Sequence, residues 1–198
     1  MDLLEKAAVQ SFHRHRLQDG HIKALGYRDE SSQTRRFEAI LGWGDMTNFS
    51  VLDLGCGFGD LRPFLLSHFE GTVYLGIDFL KEFVEEANSK YGDLPQTQFF
   101  QADFMTAGLP EIDCVIASGS LNYRSENSLH PWQSISRMWE IAQRGVVFNL
   151  LDQRHFGATP LLRGYDPQEV LDYCRQLDPN SQLYDGYLPD DFTIYMHK

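Results

Sequence analysis

A strand that ends in a carboxylate and breaks into a turn of alternating glycines constrains this chain more than any other feature. The run is Val51-Leu52-Asp53-Leu54-Gly55-Cys56-Gly57-Phe58-Gly59-Asp60, followed by the helical-looking Leu61-Arg62-Pro63-Phe64-Leu65-Leu66. Glycine tolerates positive φ and carries no Cβ, so this spacing lets the backbone turn sharply and approach a ligand closely. The helix beyond it would aim unpaired N–H groups and a positive dipole end at the same place. The turn by itself implies a nucleotide-like ligand and leaves its identity open.

From residue 51 onward, strand and helix signals alternate. Short apolar runs at 51–54, 73–77, 98–102, 113–118 and 145–150 predict strands; 60–68, 80–90, 132–143 and 167–177 predict helices. This alternation implies a parallel sheet covered on both faces. Near the end, Leu183–Tyr187 and Phe192–Met196 are joined by Leu188-Pro189-Asp190-Asp191, too short for a crossover helix, so that pair should be antiparallel. The expected fold class is therefore α/β: a Rossmann-like, seven-stranded, mostly parallel sheet with a C-terminal antiparallel hairpin. Ahead of the glycine turn, residues 2–18 read as a helix with Leu3, Leu4, Ala7, Ala8 and Phe12 near one face and Gly20 as its stop. A second helix, capped by Ser31 or Ser32, should carry Gln33 and Arg36 on one side.

At 198 residues the chain is read as a single domain, with 1–42 as a helical lid and 51–198 as the core. No stretch approaches the roughly 18–20 apolar residues of a membrane span. The start, Met1-Asp2-Leu3-Leu4-Glu5-Lys6, does not read as a secretory signal. Cys56, Cys114 and Cys174 are scattered, without metal-ligand spacing, which fits free thiols in a reducing cytoplasm. A net charge of −11 argues against a nucleic-acid partner. The short basic cluster His13-Arg14-His15-Arg16 reads as a solvated helix end.

Chemistry separates the ligands. In a dinucleotide fingerprint, G-x-G-x-x-G, the third glycine would stand where Asp60 stands. A carboxylate there opposes a diphosphate but suits a ligand carrying an ammonium group. Asp78 closes the second strand, Val73-Tyr74-Leu75-Gly76-Ile77-Asp78. An ionised carboxylate at that place can accept from both hydroxyls of a ribose; it can also cap the helix that follows. Asp103 ends Gln98-Phe99-Phe100-Gln101-Ala102-Asp103 and reads either as a turn residue or as an acceptor for an adenine amino group. Phe79, Leu80, Phe104 and Met105 would then be apolar walls.

This constellation resembles the class I S-adenosylmethionine-dependent methyltransferases. The resemblance rests on Val51–Gly59, on Leu75-Gly76-Ile77-Asp78, on Gln101-Ala102-Asp103-Phe104 and on Asp113–Ser118, and the terminal hairpin agrees with that fold. A weaker likeness, through Gly26-Tyr27, Gln33 and Arg36-Phe37, is to a group of bacterial members. The resemblance implies S-adenosylmethionine as cofactor and S-adenosylhomocysteine as product. It implies that Gly55, Cys56 and Gly57 contact the methionine part through backbone groups and that Asp53 holds its ammonium end. Gln33 or Arg36 would approach its carboxylate, and Gly59 and Ser118 complete the set with Asp78, Phe79, Asp103 and Phe104. These motifs specify the donor and not the acceptor.

Methyl transfer from a sulfonium is an in-line displacement, and positioning can supply roughly 7–11 kcal/mol of the barrier. A base is needed only if the acceptor must lose a proton. Loops after the fourth and fifth strands should hold the acceptor: Asn122 and Tyr123 as orienting groups, His155 as the candidate base. The [DN]-P-P-[YF] signature of base-methylating enzymes is replaced by Ser118-Gly119-Ser120-Leu121-Asn122-Tyr123. A small-molecule acceptor is the leading expectation; a protein or peptide acceptor, or cofactor binding without transfer, are the alternatives. The oligomeric state is open.

Overall fold

Seven strands form one sheet in the order β3-β2-β1-β4-β5-β7-β6. The strands are β1 (Ser50–Leu54), β2 (Val73–Asp78), β3 (Thr97–Gln101), β4 (Ile112–Ala117), β5 (Ala142–Leu151), β6 (Gln182–Asp185) and β7 (Asp191–His197). They are seen in a computed structural model that describes residues 1–157 and 159–198. The first five strands are parallel, β7 runs antiparallel to β5, and β6 pairs antiparallel with β7. The expected hairpin is present, with its second strand inserted between β5 and its first.

The helices are α1 (Leu3–Arg16), α2 (His21–Leu25), α3 (Glu30–Leu41), α4 (Leu61–Leu66), α5 (Lys81–Tyr91), α6 (His130–Ile141) and α7 (Pro167–Leu177). Alternation along the strands divides the core. Leu52 and Leu54 face a layer that includes Ile135 and Met138 of α6 and Val170 and Leu171 of α7. Val51 and Tyr74 face the opposite layer, with Phe37 and Ile40 of α3, Leu61 and Leu65 of α4, and Val84 and Ala87 of α5. No helix among the described residues is long and apolar enough to cross a membrane.

The segment before β1 departs from the sequence reading in three ways. First, Asp29 caps α3, accepting from the Ser32 N–H at 2.7 Å while its own N–H reaches Ser32 Oγ at 3.2 Å. Asp29 stands three residues ahead of Ser32, so the two close a reciprocal box and the cap moves upstream of either serine. Second, α2 was not expected; it fits between Gly20 and Gly26, whose φ of +83° ends it. Third, Leu3 and Leu4 of α1 are exposed, and the inward positions are Val9 and His13. Polar anchors set that rotation: Glu5 accepts from Ser125 Oγ at 2.9 Å, and Lys6 Nζ lies 2.5 Å from Asp103.

The 1–42 segment is also not uniform. α3 is part of the sheet-covering layer, tied down by Tyr195 Oη donating to Ala39 O at 2.6 Å. Trp43, just beyond it, donates Nε1–H to Met196 O at 2.9 Å.

Arg62 of α4 is fully buried and takes no carboxylate partner. Its guanidinium donates to Thr97 Oγ1 and Thr72 Oγ1, each at 2.7 Å, and to Pro95 O at 2.5 Å, clamping the entries of β2 and β3. Truncation to Ala leaves a cavity and removes the charged donor from all three acceptors, of which Pro95 O keeps only the Thr97 hydroxyl, at 3.0 Å. Urea denaturation of Arg62→Ala should show a loss of about 3 kcal/mol or more; an unchanged midpoint would mean the clamp carries no stability.

Candidate active site

The strand order reverses between β1 and β4, and the crevice outside their carboxyl ends is where open α/β sheets bind ligands. A cavity of about 330 Å³ lies there, reaching from the glycine turn to the loops after β4 and β5. Its size falls in the range of small-molecule and cofactor sites.

The glycine turn is held from beneath. The N–H groups of Gly55 and Cys56 both donate to Ile77 O, at 2.8 and 3.0 Å, and Gly57 N–H donates to Asp78 Oδ2 at 3.0 Å. Gly55 and Gly57 have φ of +73° and +54°. A Cβ at Gly55 would strike the Ser120 side chain, and one at Gly57 would lie 2.5 Å from Leu25 of α2. Both glycines line the cavity, and the cradle depends on their lacking side chains. Gly59 does not line it. A Cβ there would come within 2.7 Å of the Phe99 ring, so Gly59 serves helix–strand packing. Cys56 lines the cavity as a buried thiol, its pKa pushed up by burial and by the nearby carboxylates of Asp78 and Asp53.

Asp78 is both a cap and a wall of the site. Oδ1 accepts from Leu80 N–H at 2.9 Å at the start of α5, and Oδ2 takes Gly57. Each oxygen retains acceptor capacity. Burial raises its pKa to about 6 against the opposing pull of the backbone N–H groups of Leu80, Gly57 and Phe79. Asp53, 3 % exposed, accepts from Tyr74 Oη. Burial lifts it to about 7, with the Tyr74 hydrogen bond opposing and Asp78 and Asp60 adding to the rise. Asp60 makes no cap bond at α4. It accepts instead from His21 Nε2 at 2.6 Å, Gln33 Nε2 at 3.1 Å and Tyr91 Oη at 3.2 Å. Three carboxylates thus surround one turn, two of them short of compensating charge. That donor set fits a ligand that brings an ammonium group and paired hydroxyls.

At the third strand, Asp103 accepts Met105 N–H at 3.0 Å through Oδ1 and Lys6 through Oδ2. Burial opposes its ionisation, but Lys6, Met105 and the N-terminal amine bring its pKa below the ordinary value. Phe79, Leu80, Phe104 and Met105 line the cavity beside it. Arg137 fixes that loop, donating to Phe104 O at 2.6 Å.

Gln33 and Arg36 also reach the cavity, though both are engaged: Gln33 on Asp60, Arg36 on the buried Asp191 at 2.6 Å. Ser118 donates to Asn149 Oδ1 at 2.9 Å. Asn122 is buried and accepts Leu151 N–H at 2.8 Å, which closes its loop onto β5. Tyr123 faces the cavity. His155 does not join these groups. The turn after β5 places it on the exposed side, while its neighbour Phe156 points into the cavity. Two imidazoles line the cavity: His130 at the start of α6, and His13 of α1, which is buried rather than part of a solvated helix end. Helical periodicity alone could not place it there, because its partners lie on α2 and on the loop after β4.

Comparison with known proteins agrees with this geometry. Residues 51–141 match the methyltransferase domain family. The Mycobacterium tuberculosis protein Rv1506c, provisionally named a methyltransferase, is 29% identical over 159 residues, covering 76% of this chain and 93% of that protein. Magnesium protoporphyrin IX methyltransferase from Synechocystis PCC 6803, crystallised with S-adenosylhomocysteine, superposes with a TM-score of 0.70 at 16% identity, covering 96% of this chain and 97% of that one. The 1,6-didemethyltoxoflavin N1-methyltransferase of Burkholderia thailandensis, holding its acceptor and S-adenosylhomocysteine, gives 0.70 at 14% identity, covering 100% and 91%.

Expectations follow for two states of the protein, with ligand and without. Asp78→Ala should weaken S-adenosylhomocysteine by about 100-fold or more in calorimetry, since two charge-assisted hydrogen bonds are lost. Wild-type affinity should fall as pH drops through about 6, where Asp78 takes up its proton. The second concerns the ligand-free protein. Asp53 has a folded pKa of about 7, above the unfolded carboxylate value, so its contribution to stability is intact at low pH and is lost as pH rises through about 7. Asp53→Asn should therefore raise the melting temperature at pH 8 by a few degrees and leave it unchanged at pH 4.

Proposed function

We propose that this chain, whose residues 51–141 match the methyltransferase domain family, methylates a small molecule from S-adenosylmethionine, held between the glycine turn and the loops after β4 and β5. The observation that carries this reading is the continuity of one cavity. It runs from Gly55, Gly57 and Asp78 to an apolar and aromatic end formed by Tyr27, Tyr123, Leu151, Phe156 and Leu162. α1 and α2 lie across that cavity as the lid. A peptide acceptor would need an open groove along this face.

The bound cofactor supplies an activated methyl group, so the protein's work is binding, alignment and exclusion of water. Asp78 would hold the ribose hydroxyls and Asp53 the ammonium end. Gly55, Cys56 and Gly57 would admit the methionine part to the backbone. Phe79 and Phe104 would flank the adenine, with Asp103 beside it. Lys6 of α1 pairs with Asp103 at 2.5 Å, so Asp103 would exchange Lys6 for the base or share its two oxygens between them. Arg36, neutralised by Asp191, orders the wall near Tyr27. It is less suited than a free cation to neutralise a ligand carboxylate.

The small-molecule reading also has support from the toxoflavin enzyme, which holds 1,6-didemethyltoxoflavin in a similar fold. The acidic surface adds to it by opposing a polyanionic substrate. Three buried free cysteines are compatible with the reducing cytoplasm.

Labelled-methyl transfer into a metabolite extract, with a protein extract alongside, is the direct test. Label should enter the small-molecule fraction and require Asp78. Incorporation confined to protein would replace this reading with a peptide acceptor, and tight cofactor binding without any transfer would leave a binding protein.

A further inference from the structure

We propose that Tyr123 and His13 form a proton-accepting pair: Tyr123 takes the proton of an O–H or N–H acceptor, and His13 is the relay behind it. The acceptor class, a protic nucleophile, deepens the small-molecule reading above and rests on it.

The argument starts from hydrogen-bond roles. His13 is 3 % exposed, and its Nδ1 lies 2.6 Å from the carbonyl oxygen of Ala24 on α2. A carbonyl only accepts, so Nδ1 carries the ring hydrogen. Nε2 then presents a lone pair, and the Tyr123 hydroxyl, 2.6 Å away, donates to it. One backbone contact thus sets the tautomer, and the tautomer sets the direction of the Tyr123 O–H. The lone pairs of the phenol oxygen remain available to a molecule in the cavity, which both residues line. The rings of Phe12 and Phe83 stand edge-on to the imidazole and hold its plane.

The electrostatics suit a neutral resting pair. Burial lowers the His13 pKa; Ala24 O opposes this, and Arg16 on the same helix adds to the lowering. Burial raises the Tyr123 phenol, as do Asp78 from the end of β2 and Tyr27 from beyond α2. A neutral phenol is a poor proton acceptor alone. With Nε2 behind it, its own proton has somewhere to go.

The step balances as follows. The acceptor X–H bond breaks with its electron pair staying on X, and that proton bonds to Tyr123 Oη. The original Tyr123 O–H proton passes to His13 Nε2, giving neutral phenol and imidazolium. The imidazolium returns its proton to solvent when the site opens. His13 acts through Tyr123 and is a positioning and relay residue.

Nitrogen-detected NMR of the full-length, histidine-labelled protein tests the pair without turnover. His13 should show a protonated Nδ1 and a bare Nε2, titrate below the ordinary histidine range, and move its Nε2 resonance in Tyr123→Phe. In the metabolite-extract assay, Tyr123→Phe and His13→Gln should each lose about 100-fold or more of methyl transfer. Both should keep wild-type affinity for S-adenosylhomocysteine. Glutamine can still donate to Ala24 O, so His13→Gln retains the lid contact; its residual rate should climb with pH beyond the wild-type plateau. An Nε2-protonated ring overturns the proposal, as does His13→Gln with the wild-type rate and pH profile. If the wild type labels no metabolite, the small-molecule reading fails instead, and the NMR result still decides whether the pair exists.

Discussion

The hydrogen bond from Gly57 N–H to Asp78 couples the two halves of the donor site. It links the turn after β1 to the end of β2, and the Leu80 N–H on the other carboxylate oxygen links both to α5. The same carboxylate must remain partly unsatisfied to accept a ligand, and it does so in a buried setting that disfavours its charge. Asp53 repeats the arrangement more severely. A folded protein tolerates such desolvated acids at the expense of its own stability, and the expense is recovered only when a cationic, hydroxyl-bearing ligand fills the crevice.

The attachment of the N-terminal segment follows from the same concentration of negative charge. Asp60 recruits His21 and Gln33, Asp103 recruits Lys6, Asp190 recruits Arg28 and Asp191 recruits Arg36. Every one of these partners comes from the first 36 residues of the chain. The N-terminal segment is therefore held by polar attachments to the rim of the crevice, while its apolar Leu3 and Leu4 remain in solvent. The pairs made by Lys6, His21 and Arg28 are partly exposed and individually weak, whereas Arg36 on the buried Asp191, like Gln33, belongs to α3, which buried apolar contacts also anchor.

Much of the core was legible in the sequence because it is encoded locally. Apolar runs such as Val51–Leu54 and Cys114–Ala117 have the length and β-branched character of buried strands. The glycine spacing at 55, 57 and 59 serves two functions that look alike in sequence. Gly55 and Gly57 open the cradle, while Gly59 makes room for Phe99, and only the packing distinguishes them. Asp29 outcompeted Ser31 and Ser32 as a cap for a local reason that was readable, since Ser32 sits at the reciprocal position. The orientation of α1 was not readable. Its apolar stripe favoured one face inward, and long-range contacts from Glu5 and Lys6 turned it the other way.

The sequence by itself determined the fold class and the chemistry of the donor: strand ends, glycines and carboxylates recur at spacings that only a doubly wound sheet brings together. Tertiary structure alone decided which side chains line the cavity. His155 lies in a loop of the right kind, yet its turn points it outward. His13 lies in a segment that looked solvated, yet Ala24 and Tyr123 enclose it. The physical reason is range. Backbone geometry and apolar periodicity act over a few residues and are written locally, whereas the tautomer and burial of one imidazole depend on groups from three separate elements that meet only after the chain has folded.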